Sequence, residues 1–236
     1  MILKKKRKKI DKSPTKTAIK KKYQQYVYYS LKFYIFAHRK STYCFIQDTR
    51  MNRIFCLETE WDKSIQDLKK ESAAKSLLDF LKNTIDVPFA FRQVATSEDF
   101  AYYINHLTSK SYSAYDMIYL CFHGAKSAIE FANGVNLNLN TFGSKHQNLF
   151  LNRNVHFGSC SSLRMKDADI RAFKQNTNAR MITGYTKDVD FMTSFVFELW
   201  LLNAIATFPR YTAKGIMSKA MQEMPTYVKR FGFVAY

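Results

Sequence analysis

Tyr115-Asp-Met-Ile-Tyr-Leu-Cys-Phe-His-Gly124 and Asn154-Val-His-Phe-Gly-Ser-Cys160 are two short apolar runs, and each ends in a chemically competent side chain. A strand buried on both faces reads as a continuous apolar run, because neither face has to meet water. Buried strands of this kind belong to parallel sheets, and open α/β sheets gather their sites at the carboxyl edge. Two such strands ending at His-Gly and at Gly-Ser-Cys therefore bring His123 and Cys160 to one edge of one sheet.

The chemistry gives a reason for that pairing. An ordinary cysteine thiol, with a pKa of about 8.5, is only a few per cent thiolate at neutral pH, so nucleophilic cysteines borrow a histidine as base or cationic neighbour. His123 fills that role for Cys160. Gly124 lacks a Cβ, so its backbone N–H can approach a substrate carbonyl closely, as an oxyanion hole requires. Cys121 has the bland reading of a small apolar side chain on the inner face of its strand. His156 alternates with Phe157 and so points to the opposite face, as a satisfied structural histidine. Cys44, Cys56, Cys121 and Cys160 form no C-x₂₋₄-C pair and the histidines no H-x₃₋₅-H, so no metal and no cofactor is expected.

Outward from these strands the elements alternate. Ile54 to Trp61 opens as a strand, and Trp61 to Asn83 spaces Ile65, Leu68, Leu77, Leu78 and Leu81 as one face of an amphipathic helix. Val87 to Ala95 is strand-like, and Thr96 starts a capped helix through about Leu107. Asn133-Gly134 marks a hairpin between Ala128–Phe131 and Val135–Leu139, followed by a polar loop from Thr141 to Asn148. After Cys160 a helix is expected over Leu163 to Gln175, with Ser161 and Ser162 as caps and its N-terminal dipole favouring a thiolate. A strand follows at Arg180 to Gly184, then a helix from Phe191 to Ala206 capped by Asp190. Tyr211 to Met224 reads as helix and Tyr227 to Tyr236 as a last strand. Strands alternating with helices predict an α/β sandwich of three layers with a mostly parallel sheet.

The order of apolar strand, His-Gly, hairpin insert, apolar strand and Cys resembles the caspase-like cysteine peptidases of clan CD, especially the CHAT-type bacterial members. The resemblance covers roughly Arg53 to Thr207. It implies a caspase-like αβα fold and a cysteine endopeptidase with His123 and Cys160 as catalytic dyad. The Gly124 and Cys160 backbone N–H groups would hold the oxyanion, and a thioester would form on Cys160. In such folds the loop after the strand that follows the cysteine strand lines the specificity pocket; here that loop holds Asp188 and Asp190, which would suit a basic substrate side chain. Asp190 has the plain alternative of a helix cap and Asp188 that of a solvated loop residue. The sequence departs from the family at Ser161-Ser162, where Arg-Gly or Glu-x-Gly is common, and in a separation of only 37 residues between His123 and Cys160. The implied partners are a protein or peptide substrate and an activating sensor protein, in bacterial defence or regulated proteolysis. A catalytically inactive signalling or scaffold domain on the same sheet is the alternative.

Composition frames these readings. With 236 residues, 47% of them hydrophobic, the chain can bury a full core. Four irregularly spaced cysteines and no secretory signal suggest free thiols in a cytoplasmic protein. Of the net charge of +18, residues 1–50 hold +13 (15 Lys and Arg against 2 acids) and residues 51–236 hold +5 (22 against 17). The basic leader reads as poorly structured and able to bind nucleic acid only nonspecifically. Its apolar stretch Tyr26 to Ala37 is too short for a membrane span of about 20 residues. The division expected is therefore a 1–50 leader and a 51–236 α/β domain, with Met51 as a possible native start. A chain beginning at Met51 should then unfold at the same temperature as the full chain; loss of folding on truncation would refute the division.

Overall fold

Six strands, Ile54–Thr59 (β1), Phe89–Val94 (β2), Met117–Cys121 (β3), Asn154–Phe157 (β7), Met181–Tyr185 (β8) and Phe233–Ala235 (β9), form one sheet in the order β2-β1-β3-β7-β8-β9. All pairs are parallel except the edge pair β8–β9. The structure is a computed structural model that describes residues 52–61 and 72–236, all within the unit Arg50–Tyr236. The expectations for the leader, and for the 62–71 part of the first helix, lie outside the described residues.

Helices cover both faces, giving the three-layer α/β architecture expected from the sequence. On one face Ile118, Leu120, Val155, Phe157 and Ile182 pack with Phe100 of Ser97–Ile104 (α2), Phe142 of Leu139–Lys145 (α3) and Phe173 of Asp167–Thr177 (α4) in a continuous apolar core. The other face meets Ala73–Ile85 (α1) and Phe191–Thr207 (α5), with Leu77, Leu78 and Leu81 of α1 buried. Ala213–Glu223 (α6) and Pro225–Phe231 (α7) lead into β9. Among the described residues no helix is long and apolar enough to cross a membrane.

Local chemistry explains most element starts. Thr96 and Asp99 form a capping box on α2, and Ser72 and Thr212 cap α1 and α6 through their hydroxyls. His123–Ala125 (β4), Ala128–Glu130 (β5) and Asn136–Asn138 (β6) make a small antiparallel sheet, so the strand expected through Gly124 ends at Cys121 and His123 and Gly124 belong to the hairpin insert. Gly134, at φ +80°, supplies the left-handed turn that Asn-Gly signals.

Four expectations are corrected. The stretch expected as a polar loop after the hairpin contains α3, because Asn138 accepts a hydrogen bond from Thr141 N at 3.1 Å and Leu139 and Phe142 are buried. The helix expected from Leu163 begins only at Asp167. Trp61 belongs to no helix, since its indole turns back to Glu58. The first half of the last expected strand is α7, with β9 limited to three residues before the C-terminus.

One buried cation aligns the amino ends of the two central strands. Arg153, 8% exposed, stands just before β7 and donates to the carbonyls of Tyr115 (3.1 Å), Leu149 (3.1 Å), Leu107 (2.8 Å) and Tyr112 (3.4 Å). Asn154 N–H adds a bond to Asp116 O at 2.8 Å. An Arg153→Met variant would leave the Tyr115, Leu149 and Leu107 carbonyls without this donor, while Tyr112 O keeps the Tyr115 N–H, and buried polar groups stripped of partners cost about 1–3 kcal/mol each. Its urea midpoint should fall by the equivalent of at least about 2 kcal/mol; an unchanged midpoint would mean that the guanidinium is dispensable to the fold.

Candidate functional site

β3 and β7 are neighbours in register, Leu120 opposite Phe157, and Gly158 N–H donates to Leu120 O at 2.8 Å. Their carboxyl ends therefore lie side by side. His123 and Cys160 both line one pocket of about 80 Å³ there, walled by Trp61, Phe122, Val189, Phe191 and Phe195. Gly124 packs against the cysteine turn so tightly that a Cβ would run into Cys160 O and stand 2.6 Å from Cys160 N. The glycine is required by that approach.

The histidine is held from the β1 side. Its Nε2 lies 3.2 Å from Trp61 O, and a carbonyl oxygen only accepts, so this contact places a proton on Nε2 and leaves Nδ1 for exchange. The Trp61 ring meets the imidazole edge-on at 4.9 Å. Trp61 is anchored in turn by Glu58, a fully buried carboxylate that accepts from Trp61 Nε1 at 2.8 Å, from Ala74 N at 3.0 Å and from the Ser72 hydroxyl. Three donors compensate the burial of its charge.

The cysteine is held from the β8 side. Val189 N–H donates to Cys160 Sγ at 3.4 Å, and Sγ lies 3.6 Å from Val189 O. Among the described residues these, rather than His123, are the sulfur's hydrogen-bond partners. Ser161 takes the left-handed conformation at φ +51°, its N–H bonded to Lys187 O (3.0 Å) and its hydroxyl to Asp188 Oδ1 (2.5 Å). A left-handed residue at that point stops a helix from starting there, so no helix dipole addresses Cys160 and neither serine is a helix cap; Ser162 donates instead to Ser159 O. Asp188 is thus occupied by Ser161. Asp190 caps α5 through Thr193 N (3.0 Å). Neither lines the pocket.

A further acid does line it. Glu198 of α5, 4% exposed, accepts from the hydroxyls of Tyr119 (2.5 Å) and Tyr185 (3.1 Å). His156, fully buried on the same face, bonds Thr183 Oγ1 through Nδ1 at 3.1 Å and has Nε2 3.8 Å from Glu198 Oε1. Burial first, then the charges of Cys121 and Glu198, push the Tyr119 hydroxyl well above its ordinary pKa, which keeps it a donor. Burial, then the Glu198 and Glu58 carboxylates, likewise pushes the Cys121 thiol up, and burial with the same two acids raises Cys56. Glu58, Trp61 and Glu198 escape a motif reading, yet each carries a signal: Leu57-Glu58 and Phe197-Glu198-Leu199 set an acid inside an apolar run. Among the described residues no group of three or more His, Cys, Asp or Glu side chains converges as a metal site.

A Gly124→Ala variant tests the tight seam between the two loops. Overpacking of this kind costs about 1–3 kcal/mol, so the melting temperature should fall and the native reactivity of Cys160 toward iodoacetamide should change with it. Wild-type stability and reactivity in this variant would show that the seam has slack.

Comparison with known proteins gives a family match and distant structural likenesses. No curated protein matches the chain. Among solved structures it is similar to pro-sf-caspase-1, at 10% identity and a TM-score of 0.43 over 79% of this chain and 85% of that one. It is also similar to the Drosophila initiator caspase Dronc, at 10% identity and a TM-score of 0.38 over 71% of each chain. The family model described as "Family of unknown function (DUF6642)" matches residues 51–207, which hold β1 through α5 and therefore both His123 and Cys160. The chain belongs to the DUF6642 family.

Proposed function

We propose that this chain is a cysteine endopeptidase of the caspase-like, CHAT-type class that works through a His123–Cys160 dyad. The observation that carries the reading is the shared pocket: two side chains of complementary chemistry from the carboxyl ends of neighbouring parallel strands, with Gly124 against the backbone of Cys160. Cys160 Sγ attacks the scissile carbonyl carbon, and the Gly124 and Cys160 N–H groups hold the oxyanion. His123 takes the thiol proton on Nδ1 and passes it to the leaving amine as the C–N bond breaks, and water then hydrolyses the thioester to a carboxylic acid and the free thiol. Trp61 O keeps the imidazole oriented through Nε2. The thiol's bonds to Val189 instead of His123 fit an unliganded site, where catalytic hydrogen bonds are commonly long and tighten on binding. The setting that goes with this reading is a cytoplasmic effector, in bacterial defence or regulated proteolysis, switched on by a separate sensor protein. Residues 51–236 would form the catalytic domain and the basic leader would touch nucleic acid only nonspecifically.

The same engagement of the sulfur by Val189 favours a second reading, an inactive scaffold on the same sheet. Iodoacetamide labelling of the native full chain, located by mass spectrometry, separates the two. Cys160 should react ahead of Cys56 and Cys121, which are buried and whose thiols are pushed up. His123→Ala should lower peptide turnover about 10²–10⁴-fold, and Cys160→Ala should fold and be inert. Turnover that survives Cys160→Ala, or labelling of Cys160 that is no faster than that of the buried thiols, would remove the peptidase reading and leave the scaffold.

A further inference from the structure

The pocket has one chemical feature that the dyad does not use. Its walls are largely aromatic and aliphatic (Trp61, Phe122, Val189, Phe191, Phe195), and one acid, Glu198, is among its lining residues. Gly158, which also lines the pocket, packs directly against that carboxylate: a Cβ there would stand 2.9 Å from Glu198 Oε1 and 2.8 Å from the Tyr119 ring. The Tyr119 and Tyr185 hydroxyls fill one acceptor direction on each carboxylate oxygen, and each oxygen has two. His156 Nε2, at 3.8 Å from Oε1, is within ion-pair range but too far for a hydrogen bond, and it has no hydrogen-bond partner. An acid with open acceptor directions in the lining of an otherwise apolar pocket is the complement of an alkyl chain that carries a cation.

We propose that Glu198 is the specificity determinant of this site and that the pocket takes a lysine-type side chain, the residue on the acyl side of the scissile bond. This rests on the reading of His123 and Cys160 as a peptidase dyad. Size agrees: one water needs roughly 10–15 Å³ of such space, so about 80 Å³ admits five or more atoms of that size, and the lysine side chain has five heavy atoms. Asp188 and Asp190, the acids nearest in sequence to such a pocket, are occupied by Ser161 and by the start of α5. A substrate that lacks the cation would leave the carboxylate's remaining acceptor directions dry and unpaired, which is how a polar site rejects an apolar analogue.

Protection of Cys160 in the native full chain tests the pocket without requiring catalysis. Labelling by iodoacetamide is followed at about pH 8.5, where an unactivated thiol also reacts, in the presence of n-butylammonium, n-butylguanidinium or n-butanol. The cations should protect Cys160 at concentrations about tenfold lower than butanol does, the margin of one charge-assisted hydrogen bond. Glu198→Gln should erase the margin. Equal protection by butanol and butylammonium in the unsubstituted protein, or no protection by either, overturns the proposal without any reliance on the variant's folding. Cation-selective protection in a protein whose Cys160 labels no faster than Cys56 and Cys121 keeps the pocket assignment and removes the peptidase reading instead.

Discussion

The register of β3 on β7 is the constraint from which the site follows. One face of this pair is wholly apolar, with Ile118 and Leu120 beside Val155 and Phe157; the other carries Tyr119, Cys121 and His156 against Glu198. A slip of one residue would exchange the faces, driving Phe157 toward a buried carboxylate and His156 into the apolar core. Burying an unpaired polar group in hydrocarbon costs several times more than a lost van der Waals contact, so the polar face fixes the register more firmly than apolar packing alone would. Once the register is fixed, His123 and Cys160 leave the sheet side by side.

Two buried carboxylates then make the pocket rigid. Glu58 joins the end of β1 to the first turn of α1 and to Trp61, while Glu198 joins α5 to β3 and β8. Each would be costly in a dry interior, and each is offset by two or three donors whose own positions it thereby fixes. The consequence reaches the chemistry. Trp61 presents its carbonyl to His123 because Glu58 holds the indole, and the Tyr119 hydroxyl stays protonated because burial and its acidic neighbours hold its proton on. The pocket is thus organised by the fold itself, through groups whose positions the two buried carboxylates fix.

The sequence made this sheet legible because its strands are buried on both faces and read as apolar runs, and because Thr96, Asp190 and Asn133-Gly134 act within four residues of themselves. What it hid depends on distant contacts. Ser161 can be left-handed because Lys187 O and Asp188 receive its N–H and hydroxyl, and nothing local to Ser161 announces them. α3 was masked by its polar residues, since the Phe142 and Gly143 that seat it on Phe173 are only two among seven. Glu58 and Glu198 look like ordinary charges at the end of a strand and in the middle of a helix until their partners are brought to them by the fold.

The support of Cys160 extends past the stretch that carries the family match. Cys160 and Ser161 are tied to Val189, Lys187 and Asp188, and that loop is tied to the turn between α7 and β9: Thr186 N–H and its hydroxyl both donate to Gly232 O, and Lys187 N–H donates to Phe231 O. Gly232 sits at φ +58°, and a Cβ there would collide with Thr186 Oγ1, so only glycine allows the two loops to meet. The matched residues end at 207, before this turn. Residues 51–207 therefore hold both His123 and Cys160, while the conformation of the cysteine is set by a chain of backbone bonds that ends at residues 231–232. A pull on α7 or β9 would pass through Thr186 and Lys187 to Val189, the residue that holds the sulfur, so the geometry of Cys160 is coupled to the C-terminal edge of the sheet and not only to the β3–β7 register.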